Sequence, residues 1–361
     1  MPDVGTPGIY ASRPRIEVDG RDQPALAQQL QALFVEETIA GLYRCEATFV
    51  NWGPRDGAIG FLYFDRTVLE FGKELRIDMG AGDGHGTVFD GRITALEGRF
   101  TSARPPELLV LAEDRLQDLR MTRRTRTFED MSDAAVIRQI ASAHGLSADV
   151  DANGPTHRLI AQVNQSDLAM ARDRARAVGA ELWVEDRTLK VKPRTGRGAG
   201  TITLTFGQAL IEFVVTADLA DQASGFLVAG WDVSAKEAVS HRATSSVIAA
   251  EVGDGTSGSA ILDSALSARD QQVVHALAAS ETEARALAEA LYAQTARRFV
   301  TGNGVAEGDA RLRVGAEVEL KAVGPLFEGL YRVTRARHTF DAATGFRTAF
   351  TVERAALGRA A

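Results

Sequence analysis

The sequence predicts a mainly β fold that contains an α+β insertion and a long helix near residues 280–298. Between residues 30 and 128, short apolar and β-branched stretches are separated by Gly, Pro and Asp, which is typical of a β-sandwich or β-barrel. After Met131 the apolar residues recur with the spacing of helices instead. Strand-like stretches return after the glycine-rich loop at residues 194–201 and fill residues 311–355.

These changes of pattern divide the chain into three predicted domains. We expect an N-terminal β-module over residues 1–127, an inserted α+β domain over residues 128–195, and a second β-module over residues 196–361. The second β-module carries a helical insertion at about residues 260–300. A chain of 361 residues has the length of two or three domains.

Two helices and a hairpin are predicted in the α+β domain. The helix in "SDAAVIRQIASAHG" begins at Ser132 or Asp133 and ends at Gly145. The helix in "NQSDLAMARDRARAVG" has Ser166 as its N-cap and ends at Gly179. The hairpin follows in "AELWVEDRTLKVKP".

The long helix lies in the Ala-rich segment "SETEARALAEALYAQTARRF", with Ser280 or Thr282 as its N-cap. Its helical spacing predicts one buried stripe, formed by Ala284, Leu287, Ala288 and Leu291.

The composition excludes several classes of protein. No apolar run approaches the roughly 20 residues that span a bilayer, and the first residues lack the pattern of a signal peptide. The single cysteine, Cys45, excludes an intramolecular disulfide and a Cys-rich metal site, which is typical of a protein made in a reducing cytosol. A net charge of −7 argues against a general nucleic-acid binder, because binding to phosphates requires a positive field.

The sequence also contains an internal repeat. The segment Gly72–Ile77 matches Gly315–Leu320, and the segment Val88–Gly91 matches Leu326–Gly329. Both copies end in an apolar strand that closes on an acid followed by arginine, in "LLVLAEDR" and "TAFTVER". We therefore expect two related β-modules, and three such chains in a ring would present six similar modules with true threefold symmetry.

Four stretches, taken in order, resemble the baseplate hub proteins of contractile phage tails and related injection systems. This family includes phage late control protein D and the hub part of VgrG-like proteins. The resemblance runs over about residues 60–355 and is carried by "EDRLQDLRMTRRTRTFEDMSDAAVIRQIASAHGL", "QVNQSDLAMARDRARAVGAELWVEDRTLKVKP", "FLVAGWDVSAKEAV" and "GAEVELKAVGPLFEGLYRVTRARHTFDAATGFRTAFTVER".

The resemblance implies tandem β-barrel hub modules in a homotrimer that joins a hexameric tail tube to a trimeric spike and lines the lumen. VgrG-like proteins continue into a spike, whereas this sequence stops at Ala361, so we expect the spike to be a separate polypeptide. The implied partners are further copies of the chain, the spike, a tail tube or tube-initiator protein, and the surrounding baseplate proteins. The implied location is a phage tail or an extracellular or cell-attached injection particle, assembled after synthesis in the bacterial cytoplasm.

The sequence predicts no catalytic residue, no cofactor and no metal ligand set, and it indicates two places for contacts between subunits. The first is the basic cluster in "RMTRRTR", whose alternative interpretation is a solvated connector: Arg120, Arg123, Arg124 and Arg126. The second is His338, at the end of a strand, which we expect either to bond Asp341 or to face a neighbouring subunit.

Two other functions remain open at this point. A peptidoglycan-degrading tail enzyme would depend on a pair such as His338 and Asp341. A carbohydrate-binding tail protein would present a row of exposed aromatic side chains, although aromatic residues make up only 7% of the chain.

Overall fold

A computed structural model describes residues 13–55 and 57–358, and it confirms the mainly β fold. Among these residues, the N-terminal part contains nine strands and one short α-helix: β1 (Arg15–Val18), β2 (Arg21–Asp22), α1 (Pro24–Gln29), β3 (Leu30–Thr38), β4 (Arg44–Val50), β5 (Gly53–Arg55), β6 (Ala58–Gly60), β7 (Glu74–Met79), β8 (Gly86–Thr101) and β9 (Arg104–Glu113).

One strand-like stretch of the N-terminal part is a loop. Residues 61–73, from "FLYFDRTVLEFGK", have no ladder partner, and the side chain of Asn51 instead accepts hydrogen bonds from the backbone N–H groups of Leu62 and Tyr63 at 3.0 and 2.8 Å. Leu69 reaches the core, whereas several aromatic side chains of the loop stay exposed. Apolar content alone therefore indicated a strand where the chain makes a loop that covers the end of the sheet.

The middle of the chain forms the predicted α+β insertion. It contains α2 (Leu116–Arg120), β10 (Arg123–Ser132), α3 (Asp133–Ala143), β11 (Ser147–Val150), β12 (Thr156–Ser166), α4 (Asp167–Ala177), β13 (Ala180–Glu185) and β14 (Thr188–Pro193). Both predicted N-caps are confirmed, because Ser132 and Ser166 accept hydrogen bonds from the third backbone N–H that follows each of them. Gly145 and Gly179 end the two helices with φ of 66° and 68°.

Up to residue 358, where the description ends, the last part of the chain contains eleven strands and three α-helices. In chain order these are β15 (Thr201–Thr205), β16 (Leu210–Ala217), β17 (Gly225–Asp232), β18 (Glu237–Ala243), α5 (Ala249–Val252), β19 (Thr256–Ser257), α6 (Gly258–Leu266), β20 (Asp270–Ala278), α7 (Glu281–Arg297), β21 (Val300–Glu307), β22 (Glu317–Lys321), β23 (Gly329–Asp341), β24 (Gly345–Arg354) and β25 (Ala356–Leu357).

The long helix is α7, and Ser280 caps it as predicted. Ala284 and Ala288 are buried, and Leu287 and Leu291 are partly buried against the same core. The helix packs on a separate three-stranded sheet of order β18-β17-β20, so this insertion contains strands as well as helices. None of the described helices has the length and apolar content needed to cross a membrane.

One large sheet organises the rest of the molecule. Within the described residues it has 13 strands, in the order β16-β21-β24-β23-β3-β4-β9-β8-β7-β1-β2, with β22 paired to β23 and β15 paired to β22. We call β1, β3, β4, β7, β8 and β9 the first β-unit, and β15, β16, β21, β22, β23 and β24 the second β-unit. Each β-unit has its own apolar core, and the α+β insertion and the sheet beneath α7 have cores of their own. The domain boundaries given above remain a prediction.

A buried carboxylate holds the α+β insertion together. Asp167 is the first residue of α4, its side chain is 1% exposed, and it accepts hydrogen bonds from Arg124, Arg126, Gln162 and His144. Burial by itself would raise the pKa of Asp167, but these donors and the arginine charges lower it below its usual value. The ionised carboxylate therefore ties β10 and the end of α3 to the start of α4.

Replacing Asp167 should destabilise this insertion. We expect Asp167→Ala to lower the free energy of unfolding in urea by about 3 kcal/mol, because it leaves two guanidinium groups without their buried partner. Asp173→Ala, on the exposed side of the same helix, is the matched control and should change it by less than about 0.5 kcal/mol. Equal free energies of unfolding for the two variants, measured at one protein concentration, would contradict this stabilising role of Asp167.

Candidate assembly interface

The two β-units meet where β3 pairs with β23. The pairing is antiparallel and runs from Ala32 opposite Asp341 to Thr38 opposite Arg335. On the core side, Val35 lies opposite His338, and both of these side chains are buried. This pairing, called the internal joint below, makes the two halves of the duplication one continuous sheet.

Two glutamates of β3 bind arginines of the second β-unit across the internal joint. Glu37 is 1% exposed and accepts hydrogen bonds from the guanidinium of Arg313. Burial favours a raised pKa for Glu37, but the charge and hydrogen bonds of Arg313 hold the pKa below its usual value. On the outer face, Glu36 accepts hydrogen bonds from Arg335 and from Arg337. The internal joint therefore combines a strand ladder with charge-assisted hydrogen bonds.

His338 lies inside the internal joint and has no exposed surface. Its Nδ1 is 3.1 Å from Oγ1 of Thr348, and its ring lies 5.7 Å from that of Phe346. Burial lowers the pKa of His338 to about 4, and the nearby charge of Arg313 acts in the same direction, against Glu37. The imidazole is therefore neutral near pH 7 and packs between the two β-units.

The predicted bond between His338 and Asp341 is not made. Asp341 accepts hydrogen bonds from the backbone N–H groups of Ala343 and Thr344 in the turn between β23 and β24. Residues three apart in a strand point to opposite faces, which separates these two side chains. The structure therefore does not assemble this pair as an acid and a base.

The four predicted arginines lie on α2 and β10, at the surface of the α+β insertion. Arg120 pairs with Glu113 at 2.5 Å, and Arg123 donates to the carbonyl of Asn164. The other two, Arg124 and Arg126, hold Asp167. Each arginine thus has a partner within the chain, and their role in contacts with other proteins stays a prediction.

The two β-units repeat the same arrangement of strands. The hydrogen-bonded order β3-β4-β9-β8-β7 of the first β-unit recurs as β16-β21-β24-β23-β22 in the second. The sixth strand differs, because β1 is antiparallel to β7 whereas β15 is parallel to β22.

The registers of the two β-units also agree. Arg92 lies opposite Glu113, and Arg332 lies opposite Glu353, so residues of β8 and β9 correspond to residues 240 positions later. Both ladders have an irregularity at the next threonine, Thr94 or Thr334, whose hydroxyl donates 3.3 Å to the facing strand in each case.

The registers of β3 and β16 also agree, because residues of β3 correspond to residues 180 positions later in β16. In both strands the ladder to the neighbouring strand is irregular just after the first residue, Leu30 or Leu210. A shared irregularity at the same place in a strand is a structural signature that alternation of apolar residues does not produce by chance.

The structure confirms one sequence match of the repeat and corrects another. The N–H of Gly72 donates to the carbonyl of Ile93, and the N–H of Gly315 donates to the carbonyl of Val333. The match of Gly72–Ile77 with Gly315–Leu320 is therefore confirmed. The second match is wrong by two positions, because Gly91 corresponds to Tyr331 and not to Gly329. A slip of two residues keeps every side chain on the same face, so the apolar pattern does not reveal it.

Two of the strand edges that are unpaired in the described residues are equivalent to the strands of the internal joint. The edge strand β16 pairs only with β21. The end of β8, residues 95–101, pairs only with β9, and its other edge is free. These two edges correspond to β3 and to residues 335–341 of β23, which pair with each other in the internal joint.

A polar cleft of about 440 Å³ lies beside the internal joint, between the two β-units and the α+β insertion. Several of its charged side chains pair with one another, as Arg313 does with Glu37 and Lys190 does with Glu185. Within the described residues, no group of three or more His, Cys, Asp or Glu side chains is placed to hold a metal ion. The absence of a cofactor stays a prediction.

Protonation of His338 should weaken the internal joint in acid. Because its pKa is lowered on folding from its ordinary value to about 4, the neutral form stabilises the fold above pH 6.5, and this contribution is lost as the pH falls towards 4. Between pH 6.5 and pH 4, the free energy of unfolding should fall less for His338→Gln than for the wild type. The expected difference is on the order of 3 kcal/mol.

The measurement is urea unfolding at several pH values, with exposed His85 changed to Gln as the control. Parallel pH profiles for the wild type and His338→Gln would contradict this role of His338.

Several solved structures of other proteins have a similar fold. The structure is similar to the 43 kDa tail protein of prophage MuSo2 from Shewanella oneidensis, with a TM-score of 0.68, 12% identity, and coverage of 95% of this chain and 98% of that chain. A tail protein from Neisseria meningitidis MC58 gives a TM-score of 0.66 at 12% identity, covering 95% of this chain and 96% of that chain.

A third similar structure is the E. coli c3393 protein, described as a component of the type VI secretion system that is structurally similar to T4 bacteriophage tail proteins. Its TM-score is 0.52 at 12% identity, and coverage is 96% of this chain and 79% of that chain. These similarities show that the chain has the fold of phage tail proteins. A sequence comparison with curated proteins found no match. The family model described as the Alg8 N-terminal domain matches residues 13–342, and the chain belongs to that family.

Proposed function

We propose that this chain is the baseplate hub of a contractile tail or injection machine, in which three copies form a ring between a hexameric tube and a trimeric spike and line the lumen. One observation carries the proposal. The chain contains two equivalent β-units that share one joint, and the edges equivalent to that joint are left free at the two ends of the pair.

Free edges of this kind favour a closed ring. An edge of one copy that fits a different edge of the next copy makes a head-to-tail contact, which gives a ring when the rotation closes. Three chains would supply six β-units, which matches a hexameric tube on one side and a trimeric spike on the other. The tail-protein fold of the solved relatives supports the same role.

The partners of the ring are the separate spike, the tube or tube-initiator protein, and the surrounding baseplate proteins. We expect the basic surface of α2 and β10 to contact acidic groups of one of them, because Arg120 and Arg124 keep 48% and 42% of their side chains exposed. The role is recognition and mechanical connection and not catalysis. The chain would be synthesised in the bacterial cytoplasm and act as part of the assembled particle.

The purified chain should be a trimer. Light scattering at micromolar concentration should give a mass three times the 38.7 kDa of one chain. Added spike protein should bind as one trimer per ring, and added tube protein should bind the opposite end.

The control is the same measurement on the spike and tube proteins alone. A chain that stays monomeric at these concentrations, and that assembles with neither partner, would overturn the proposed function.

A further inference from the structure

The edge strand β16 has the composition of a strand that is covered in the working molecule. Its sequence, "LIEFVVTA", is apolar and β-prone and lacks Lys and Pro, which commonly protect free edges. Ile211 and Val214 are 47% and 60% exposed. An open apolar edge of this length in an isolated chain indicates pairing with another strand.

The free end of β8 carries a matching exposed side chain. Phe100 is 64% exposed, whereas Phe340, the residue 240 positions later, is 4% exposed because β3 and the core of the first β-unit cover it. Phe100 therefore occupies the place of a buried residue without the strand that would bury it.

We infer that β16 of one copy pairs antiparallel with the free end of β8 of a second copy, in the register of the internal joint. This contact, called the external joint below, rests on the proposed homotrimer. The correspondences of 180 and 240 positions give the register: Ala95 opposite Asp218, Leu96 opposite Ala217, Glu97 opposite Thr216, Gly98 opposite Val215, Arg99 opposite Val214, Phe100 opposite Phe213 and Thr101 opposite Glu212.

The two faces of the external joint agree with this register. Leu96 packs against the first core, and Phe213, Val215 and Ala217 pack against the second, so apolar residues share the core face. Phe100 then enters the second core of the neighbouring copy, as Phe340 enters the first core within the chain.

The outer face of the external joint is also compatible. Arg99 lies diagonally across from Glu212 of the other copy, a distance within reach of an arginine side chain. In the isolated chain Arg99 instead bonds Glu97 at 2.7 Å. The external joint lacks the acidic residue of the internal joint, because Thr216 stands where β3 has Glu36, so it depends more on the strand ladder and on apolar contact.

The aromatic residues beside Phe100 also resemble a carbohydrate-binding surface. Its ring lies 5.8 Å from that of Phe64 and 6.3 Å from that of Phe61, and Trp52 lies 5.1 Å from Phe61. Such a cluster is what a carbohydrate-binding surface would offer. The correspondence of Phe100 with buried Phe340 favours a second copy of the chain as its occupant.

Engineered cysteines test the register directly. The chain with Glu97→Cys and Thr216→Cys should form covalent dimers and trimers under a mild oxidant, because facing residues of paired strands bring Cβ atoms to about 4.5–5.5 Å. The matched control combines Glu97→Cys with Val214→Cys, which share the outer face but lie diagonally, at about 7–8 Å. The native Cys45 is buried and gives no background.

A single substitution gives a second readout. Phe100→Asp should weaken association at least about tenfold and shift the mass by light scattering towards one chain. Leu159→Asp, at a residue 58% exposed on the α+β insertion, should leave the mass unchanged.

The two experiments separate this inference from the proposed function. A wild-type trimer in which the first cysteine pair stays uncrosslinked, or crosslinks less than the control pair, overturns the external joint and leaves the trimer standing. If the trimer survives Phe100→Asp and the substitution abolishes only glycan binding, the aromatic cluster binds carbohydrate. That result also overturns the external joint. A wild-type monomer refutes the proposed function itself.

Discussion

The pairing of β3 with β23 is the contact on which the rest of the structure depends. It joins two β-units that each have their own core, and it does so through a ladder of seven residue pairs, from Ala32–Asp341 to Thr38–Arg335. The buried Glu37 binds Arg313 beside this ladder, where removal of Arg313 would leave the glutamate charge uncompensated. This contact therefore places the two β-units in one continuous sheet.

The duplication is the basis of the proposed contact between chains. The strand β8 has the same register to β9 as β23 has to β24, so the free end of β8 is equivalent to the end of β23 that pairs with β3. The insertions do not disturb this geometry. The α+β insertion follows β9, and the sheet beneath α7 interrupts the connection from β16 to β21, which in the first β-unit is the short turn between β3 and β4. Both insertions thus add surface while the strand order is kept.

Much of the fold could be predicted from the sequence because its signals are local. The caps Ser132, Ser166 and Ser280 lie within a few residues of the groups they bind. The loop at residues 61–73 could not be predicted, since its stabilising contact comes from the side chain of Asn51.

The internal joint and its equivalent free edges were less predictable, because they are recognised only from the register of the paired strands. The sequence indicates His338 as a contact residue, whereas Phe340, two positions later, is the residue whose equivalent in the first β-unit is exposed. Aligning Thr94 with Thr334 makes Phe100 equivalent to Phe340. Aligning Gly91 with Gly329 shifts the comparison by two residues, so that Phe100 no longer matches Phe340. Only the ladder decides between the two alignments.

Electron microscopy of the purified assembly, viewed along its axis, tests the central claim most directly. The account predicts a closed ring with threefold symmetry and six similar lobes around the lumen, each lobe one β-unit. A twofold dimer, or an open chain of copies joined through another surface, would contradict it.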